Sequence, residues 1–279
     1  MRLKLYRGCL LVFGLLICLP IFAVILGAFK SGRELTEALS PIIGTSGGSV
    51  HWRLFPFYPT GMHFVKLLFY TPEFFTVFWN SMKLVGCILL GQMFVAVPAA
   101  FGFSRFSFRG KHALFLSYVI LMLMPFGVMM LPSYLVLKGM HLMNTHWAII
   151  LPAVFSAFPV FLMYRGFEAI PKELYEAAKI DGAGDWQMFF WIGIPLGSPG
   201  ILSALVLGFL EYWNMVEQPL AFLEDLSLWP LSLYLPEIDL SRAGMALAAS
   251  VITLIPAVFV FFMGQDYLES GIAASGMKE

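Results

Sequence analysis

Apolar residues in this chain come in long unbroken runs rather than in alternation. Six runs stand out, at roughly 9–29, 77–101, 113–135, 146–165, 195–216 and 244–264. Each approaches the ~20 residues that a helix needs to cross a hydrocarbon core of about 30 Å. Runs of this length predict helices, because a helix satisfies its own backbone where no water is present. The expected fold is all-α and integral to a membrane, a single domain over 1–279 with about six transmembrane helices. Pro98, Pro125, Pro132, Pro152, Pro159 and Pro256 fall inside the runs. Kinked spans are expected there, since neighbouring helices in a bundle re-satisfy the carbonyls that proline frees.

Composition agrees with the pattern. Apolar residues make up 59% of the chain and charged residues 12%, and the mean hydropathy is +0.83. A soluble domain carries roughly twice that charge. A net charge of zero offers no basic surface for nucleic acid. The basic segment Met1–Arg7 precedes the apolar run Cys9–Phe29, which is longer than a signal-peptide core and lacks an evident small-residue cleavage site, so an uncleaved first span is expected. Cys9, Cys18 and Cys87 fall in apolar runs and read as small buried hydrophobes, with no disulfide framework. The histidines His51, His63, His112, His141 and His146 are scattered over loops, and the five-residue spacing of the last two does not suit one helical face, so no metal site is expected.

Basic residues orient the spans. With the N-terminus inside, the inner segments collect Arg2, Lys4 and Arg7; Arg105, Arg109 and Lys111; Arg165, Lys172 and Lys179; and Lys278. The outer segments hold Lys30, Arg33, Arg53, Lys66, Lys138 and Arg242 over longer stretches, so the positive-inside bias favours N-in, C-in. Residues 30–75 become an outer loop. So does 217–243, with its acids Glu217, Glu224, Asp225, Glu237 and Asp239.

One inner connector breaks the apolar pattern. Between 172 and 185 stand Lys172, Glu173, Glu176, Lys179, Asp181 and Asp185. Pro171 suits a first helical turn, the glutamates favour its positive end and Lys179 its negative end. Gly182 and Gly184 are expected to take left-handed conformations that stop the helix. Asp185 is then placed to cap a second short helix carrying Trp186, Phe189 and Phe190. On spacing alone, this is equally an interfacial amphipathic connector.

The letters add more. Glu176-Ala177-Ala178, then Gly182, then Ile192-x-Ile194-Pro195 resembles the EAA loop of ATP-binding cassette (ABC) importer permeases, with Ile194 where leucine is usual. The longer string ELYEAAKIDGAGDWQMF resembles the carbohydrate branch, of the maltose and multiple-sugar type. KGMHLMNTHWAIILP (138–152) is similar to that family's outer loop before the fourth span. Tyr212-Trp213-Asn214 with Pro219-Leu220 is similar to its fifth-span ending, and GIAASGMKE to its C-terminal tail. The resemblance covers roughly 120–279 well and the N-terminal third weakly. NMVEQPL departs from the pattern, lacking the acid usual straight after Trp-Asn.

The resemblance implies the type I ABC importer permease architecture and a cell-membrane location. It implies half of a translocation pathway for a sugar or oligosaccharide, with no chemistry in this chain. The chain would bind no cofactor; ATP and Mg would be used by a dimer of ABC ATPase subunits. The sequence lacks a G-x-x-x-x-G-K-[ST] phosphate loop, in keeping with a separate motor. The other implied partners are a sister permease, different from this chain, and an extracytoplasmic solute-binding protein meeting the outer loop 217–243. The connector 166–194 would be the ATPase-coupling loop, carried by Glu176, Ala177, Ala178, Asp181, Gly182, Trp186 and Phe189. Trp186, Phe189 and Phe190 would fill the ATPase cleft or pack on the membrane face. The tail residues Ser275, Gly276, Met277 and Lys278 would reach the ATPase, against the ordinary reading of a frayed terminus.

Polar residues at span depth mark a candidate substrate pathway. Glu211, Asn214 and Gln218 fall at spacings of three and seven, so a continuous helix puts them on one face. Trp213 is a candidate to stack on a sugar ring, or else belongs to the outer aromatic belt with Tyr212. Lys83, within the second span, is a candidate partner for Glu211. Other readings are a permease for glycerol 3-phosphate or a related polyol, a secondary transporter, and a polytopic membrane enzyme. The first favours a cationic pathway, for which only Lys83 is available. No inverted repeat supports the second, and no catalytic set at span depth supports the third.

Overall fold

The computed structural model describes residues 2–43, 53–234 and 242–276. The regular structure among these residues is all helical, with no strand. The N-terminal helices are α1 (Arg2–Ala28), α2 (Gly32–Ile43), α3 (Met62–Tyr70) and α4 (Pro72–Arg105). The middle of the chain forms α5 (Lys111–Leu123), α6 (Phe126–Gly139), α7 (Trp147–Val154), α8 (Ala157–Glu168), α9 (Lys172–Ile180) and α10 (Asp185–Met188). The last three are α11 (Ile194–Trp213), α12 (Glu217–Phe222) and α13 (Ala243–Gly276). Five stretches are long and apolar enough to cross a membrane: Cys9–Ala28, Pro72–Arg105, Trp147–Glu168, Asp185–Trp213 and Ala243–Glu269. The bent pair α5 and α6 makes a sixth if counted as one span.

That pair departs from the expected single span over 113–135. The two helices meet at 106°. Pro125 is the cause: it has no N–H to continue the ladder and drives the residue before it out of the helical region. Met124 accordingly takes φ −74°, ψ 125°. The fourth span is interrupted more gently, at Phe155 and Ser156, ahead of Pro159. The fifth span starts ten residues earlier than expected, because α10 runs into α11 through a π-helical segment, Phe189–Gly193. Residues 30–75, expected as a loop, include α2 and α3.

The chain divides into two compact units. One comprises Met1–Phe75 and Tyr234–Pro256, the other Thr76–Leu233 and Ala257–Glu279. In the first, the chain after α1 is folded back and stitched. Thr60 N–H donates to Phe29 O at 2.8 Å, and Glu34 Oε1 accepts from the N–H groups of Phe57 (2.8 Å) and Tyr58 (2.9 Å). Lys30 is buried and donates to the Arg53 carbonyl. His63 Nε2 lies 3.0 Å from Lys30 O, and burial pushes the His63 pKa down.

In the second unit, α8 and α11 approach until their backbones touch. A Cβ on Gly166 would stand 2.8 Å from the Gly200 Cα, and one on Gly200 equally close to the Gly166 Cα. Small residues at such crossings let dispersion and weak backbone contacts replace the hydrophobic effect, which does not operate between helices in lipid. The part of α13 in this unit docks on α11. Its Gly264 packs on the Val206 side chain, and Tyr267 O accepts from Ser203 Oγ at 2.5 Å. Gln92, 1% exposed, lies in the middle of α4. Its Nε2 donates to Ala153 O and to Tyr212 Oη, both at 2.9 Å, so one amide links α4 to the fourth and fifth spans. Cys9, Cys18 and Cys87, expected as buried, are exposed on α1 and α4.

Candidate functional site

The polar connector folds as a short rod held at one point. Pro171 takes the N-cap position (φ −55°, ψ 136°), one residue before the helical turn expected for it. Along α9 only Tyr175 is buried, 7% exposed. Its ring sits 6.1 Å from Phe101 and 3.8 Å from the Arg105 guanidinium. Arg105 Nη2 in turn donates to Phe167 O (2.5 Å) and Ile170 O (2.9 Å). A cation there offsets the negative end of α8. Burial raises the Tyr175 pKa, and the Arg105 charge pulls partly against it. The end of α4, the end of α8 and the middle of α9 therefore share one cation.

The rest of the rod faces outward. Glu173, Glu176, Ala177 and Lys179 are exposed, and Ile180 is 87% exposed. The helix stops as a Schellman turn: Ala183 N–H donates to Ala178 O (2.9 Å) and Gly182 N–H to Lys179 O (3.1 Å), with Gly182 at φ +82°. Gly184 departs from expectation. It is extended (φ −74°, ψ 165°) and N-caps α10. Asp185 is the first residue of α10 and not its cap. The contact at this turn comes from Gln187, whose Oε1 accepts from Gly184 N–H at 2.8 Å.

The aromatic trio splits. Phe189 is buried against Phe101, 5.0 Å between centroids, while Trp186 and Phe190 stack on each other (6.1 Å, 21°) and stay exposed. Trp191 is exposed as well. Glu176, Ile180, Trp186 and Trp191 are thus each exposed, apolar side chains and a carboxylate of the kind that protein partners use. Tyr175, Arg105, Ile180 and Trp191 went unrecognised in the sequence. Arg105 was legible only as one of a basic cluster, and Tyr175 as the lone aromatic of a polar stretch.

The candidate substrate-pathway residues do not converge. Trp213, 2% exposed, stacks on Phe209 (5.5 Å, 11°) and meets Phe78 edge-on, so its ring belongs to the core. Glu211 and Asn214 share an exposed face, with Asn214 Nδ2 donating to Leu210 O at 2.8 Å. Gln218 is not on that face: α11 ends at Trp213, and Gln218 belongs to α12. Among the described residues no ion pair joins Glu211 to Lys83; the Lys83 charge acts instead on His146.

The stretch 217–234, expected as an outer loop, is built rather than loose. Asn80 Nδ2 donates to Ser227 O (2.7 Å) and Trp229 O (3.1 Å). Ser81 Oγ accepts from Leu231 N–H, and Asn144 Oδ1 accepts from the N–H groups of Glu224 and Asp225. Glu224 and Asp225 remain exposed, and the N–H of Ser227 holds the Asp225 pKa down. Glu237 and Asp239 lie outside the described residues, as do His51, Met277 and Lys278; Ser275 and Gly276 complete the backbone of α13.

Residues 92–274, which include the whole connector, match the family described as binding-protein-dependent transport system inner membrane component. The chain belongs to that family. It is a multi-pass inner-membrane permease component. Among its relatives, the arabinooligosaccharides transport system permease protein AraQ of Halalkalibacterium halodurans is 28% identical over 93% of this chain and 90% of its own. The lactose transport system permease protein LacG of Rhizobium radiobacter is 31% identical, over 71% of this chain and 74% of its own. The fold matches a chain in the crystal structure of a bacterial ABC transporter involved in import of the acidic polysaccharide alginate, with a TM-score of 0.79, 22% identity, and coverage of 95% of this chain and 96% of that one. A chain of the alginate transporter in complex with its alginate pentasaccharide-bound periplasmic protein matches with a TM-score of 0.59 at 19% identity.

Proposed function

We propose that this permease forms half of the membrane pathway of an ATP-driven importer for a sugar or oligosaccharide. The relatives named for arabinooligosaccharides and lactose, and another named for diacetylchitobiose uptake, support the carbohydrate class. ATP and Mg are used in a separate pair of ATPase subunits, and a different permease chain supplies the other half of the pathway. A solute-binding protein delivers the sugar to the outer face, where the pinned, acidic 217–234 stretch presents Glu224 and Asp225. The N- and C-termini lie inside, as the basic residues favour.

The observation that carries this reading is the α9 rod itself. It is fastened to its own chain through the buried Tyr175, with Ala178 partly buried beside it, presents Glu173, Glu176, Ala177 and Lys179 outward, and ends at a left-handed glycine. A helix held along one narrow face and bare on the others is placed to take a push from outside. Glu176 and Ala177 lie on its bare face, where backbones of a partner can approach closely, and Gly182 and Asp181 set the bend. The test is the double variant Glu176→Lys with Gly182→Asp. In the assembled transporter it is expected to remain inserted while substrate-stimulated ATP hydrolysis and uptake fall by at least tenfold. Uptake at the wild-type rate in that variant counts against the reading.

A further inference from the structure

Beneath the rod, the end of α4, the turn into α5 and α9 enclose a cavity of 340 Å³. Four cations line it, Arg105, Lys111, Lys172 and Lys179, against two carboxylates, Glu176 and Asp185. The Tyr175 ring and the Arg105 guanidinium, 3.8 Å apart, close its inner end. Lys111 opens α5 and Lys172 opens α9, so two helix N-termini add their positive ends to the excess of cations.

A second cavity, of 250 Å³, shares Phe101, Phe106 and Asp185 with the first. The rest of its lining is Pro98, Trp186 and Phe189. A cationic chamber therefore opens beside an apolar slot. Both lie beside the end of one apolar span at Arg105 and the start of the next helix at Lys111, a place within reach of lipid headgroups. Indole and phenyl rings favour that depth.

We propose that this pair of cavities holds one anionic phospholipid, its phosphate among Arg105, Lys111 and Lys172 and the start of an acyl chain in the slot between Phe106 and Trp186. A free phosphate would satisfy the chamber alone; the adjoining slot is what selects a lipid. Basic pockets between spans take anionic headgroups by the same charge arithmetic. The bound phosphate would fasten the α4–α5 turn to the N-terminus of α9, and so set how stiffly the rod is mounted. The inference does not depend on which protein pushes the rod.

The test uses the assembled transporter in nanodiscs of phosphatidylcholine with increasing phosphatidylglycerol, followed by native mass spectrometry and uptake assays in matching vesicles. Saturable retention of one phosphatidylglycerol per copy of this chain is expected. The double variant Lys111→Gln with Lys172→Gln is expected to weaken it on the order of thirtyfold, and Lys111→Arg with Lys172→Arg to keep it. Retention that inorganic phosphate displaces at equal concentration would mean a free-anion site and overturn the lipid assignment. Equal retention of phosphatidylcholine and phosphatidylglycerol by the wild type would overturn it as well, and that arm stands even if the glutamine variant fails to assemble. Loss of lipid retention with uptake still coupled to ATP separates this inference from the proposed function.

Discussion

Helix α1 and the pair α8 and α11 are all apolar and all predicted spans, yet they are built on opposite terms. From Leu10 to Leu19 the large side chains of α1 are exposed on every face, and a Cβ on Gly14 would meet nothing within 4 Å. On α8 and α11, glycines stand where the helices close, with Gly166 and Gly200 meeting backbone to backbone and Gly197 pressed on the Phe167 ring. Hydropathy inserts a helix into lipid, but it cannot select a neighbour, because lipid tails are as apolar as leucine. Neighbours are selected by small residues that let backbones close and by buried polar atoms that need a particular partner. A glycine in α1 is therefore incidental, and a glycine in α8 is a contact.

The matched pair Gly14→Leu and Gly166→Leu puts the largest strain on that contrast. Gly166→Leu drives a side chain into the Gly200 backbone, which has nowhere to move, and is expected to abolish monodisperse protein in detergent. Gly14→Leu is expected to leave yield and melting temperature unchanged. Comparable losses in both would erase the distinction. Trp213→Ala comes next, with a destabilisation of about 3–5 kcal/mol from an emptied aromatic site, read as a lower thermal midpoint. Because the ring is walled in by Phe209 and Phe78, substrate affinity of the surviving protein is expected to stay as in wild type. A selective loss of affinity would return Trp213 to the pathway.

A smaller effect is expected from Gln92→Leu. It removes the two hydrogen bonds to Ala153 O and Tyr212 Oη but also the orphaned Oε1, for a net cost of about 1 kcal/mol in denaturant titration. The smallest effect is one of pH. His146 Nε2 pairs with Leu228 O at 3.1 Å, and burial holds the His146 pKa below its usual 6.5, with the Lys83 charge acting in the same direction. The unfolded imidazole then binds a proton more readily than the folded one. This contribution to stability is present above pH 6.5 and is lost as pH falls from 6.5 toward the lower folded value. Hydrogen exchange around 142–148 and 226–229 is expected to speed up over that window in wild type and to lose its pH dependence in His146→Gln.

The connector was legible in the letters because its devices are local. A Schellman turn needs one glycine at one position, and Gly182 supplies it. Gly184 could not be told apart from Gly182 by spacing, since only the neighbouring Gln187 carbonyl decides which glycine caps α10. The expected single face from Glu211 to Gln218 does not form for a related reason: the chain leaves the helix at Asn214, places Gln218 in α12 and buries Trp213, while Glu211 and Asn214 keep an exposed face. Lys83 and Glu211 looked like partners because both are charges in apolar runs, but their distance is a property of how the spans are arranged.

Sequence alone determined that the chain enters a membrane as kinked helices, where most of the spans approximately lie, and which connector breaks the pattern. Those are consequences of transfer free energy and of short-range backbone rules, which act residue by residue along the chain. Only the tertiary structure decided that Pro125 turns the chain by 106°. It also decided that Gly166 meets Gly200, that Arg105 binds two helix ends and the Tyr175 ring together, and that four cations close around one cavity. Each of those depends on which distant segments come within a few ångströms, and in a uniformly apolar chain that choice rests on a few small or polar atoms whose partners hydropathy does not encode.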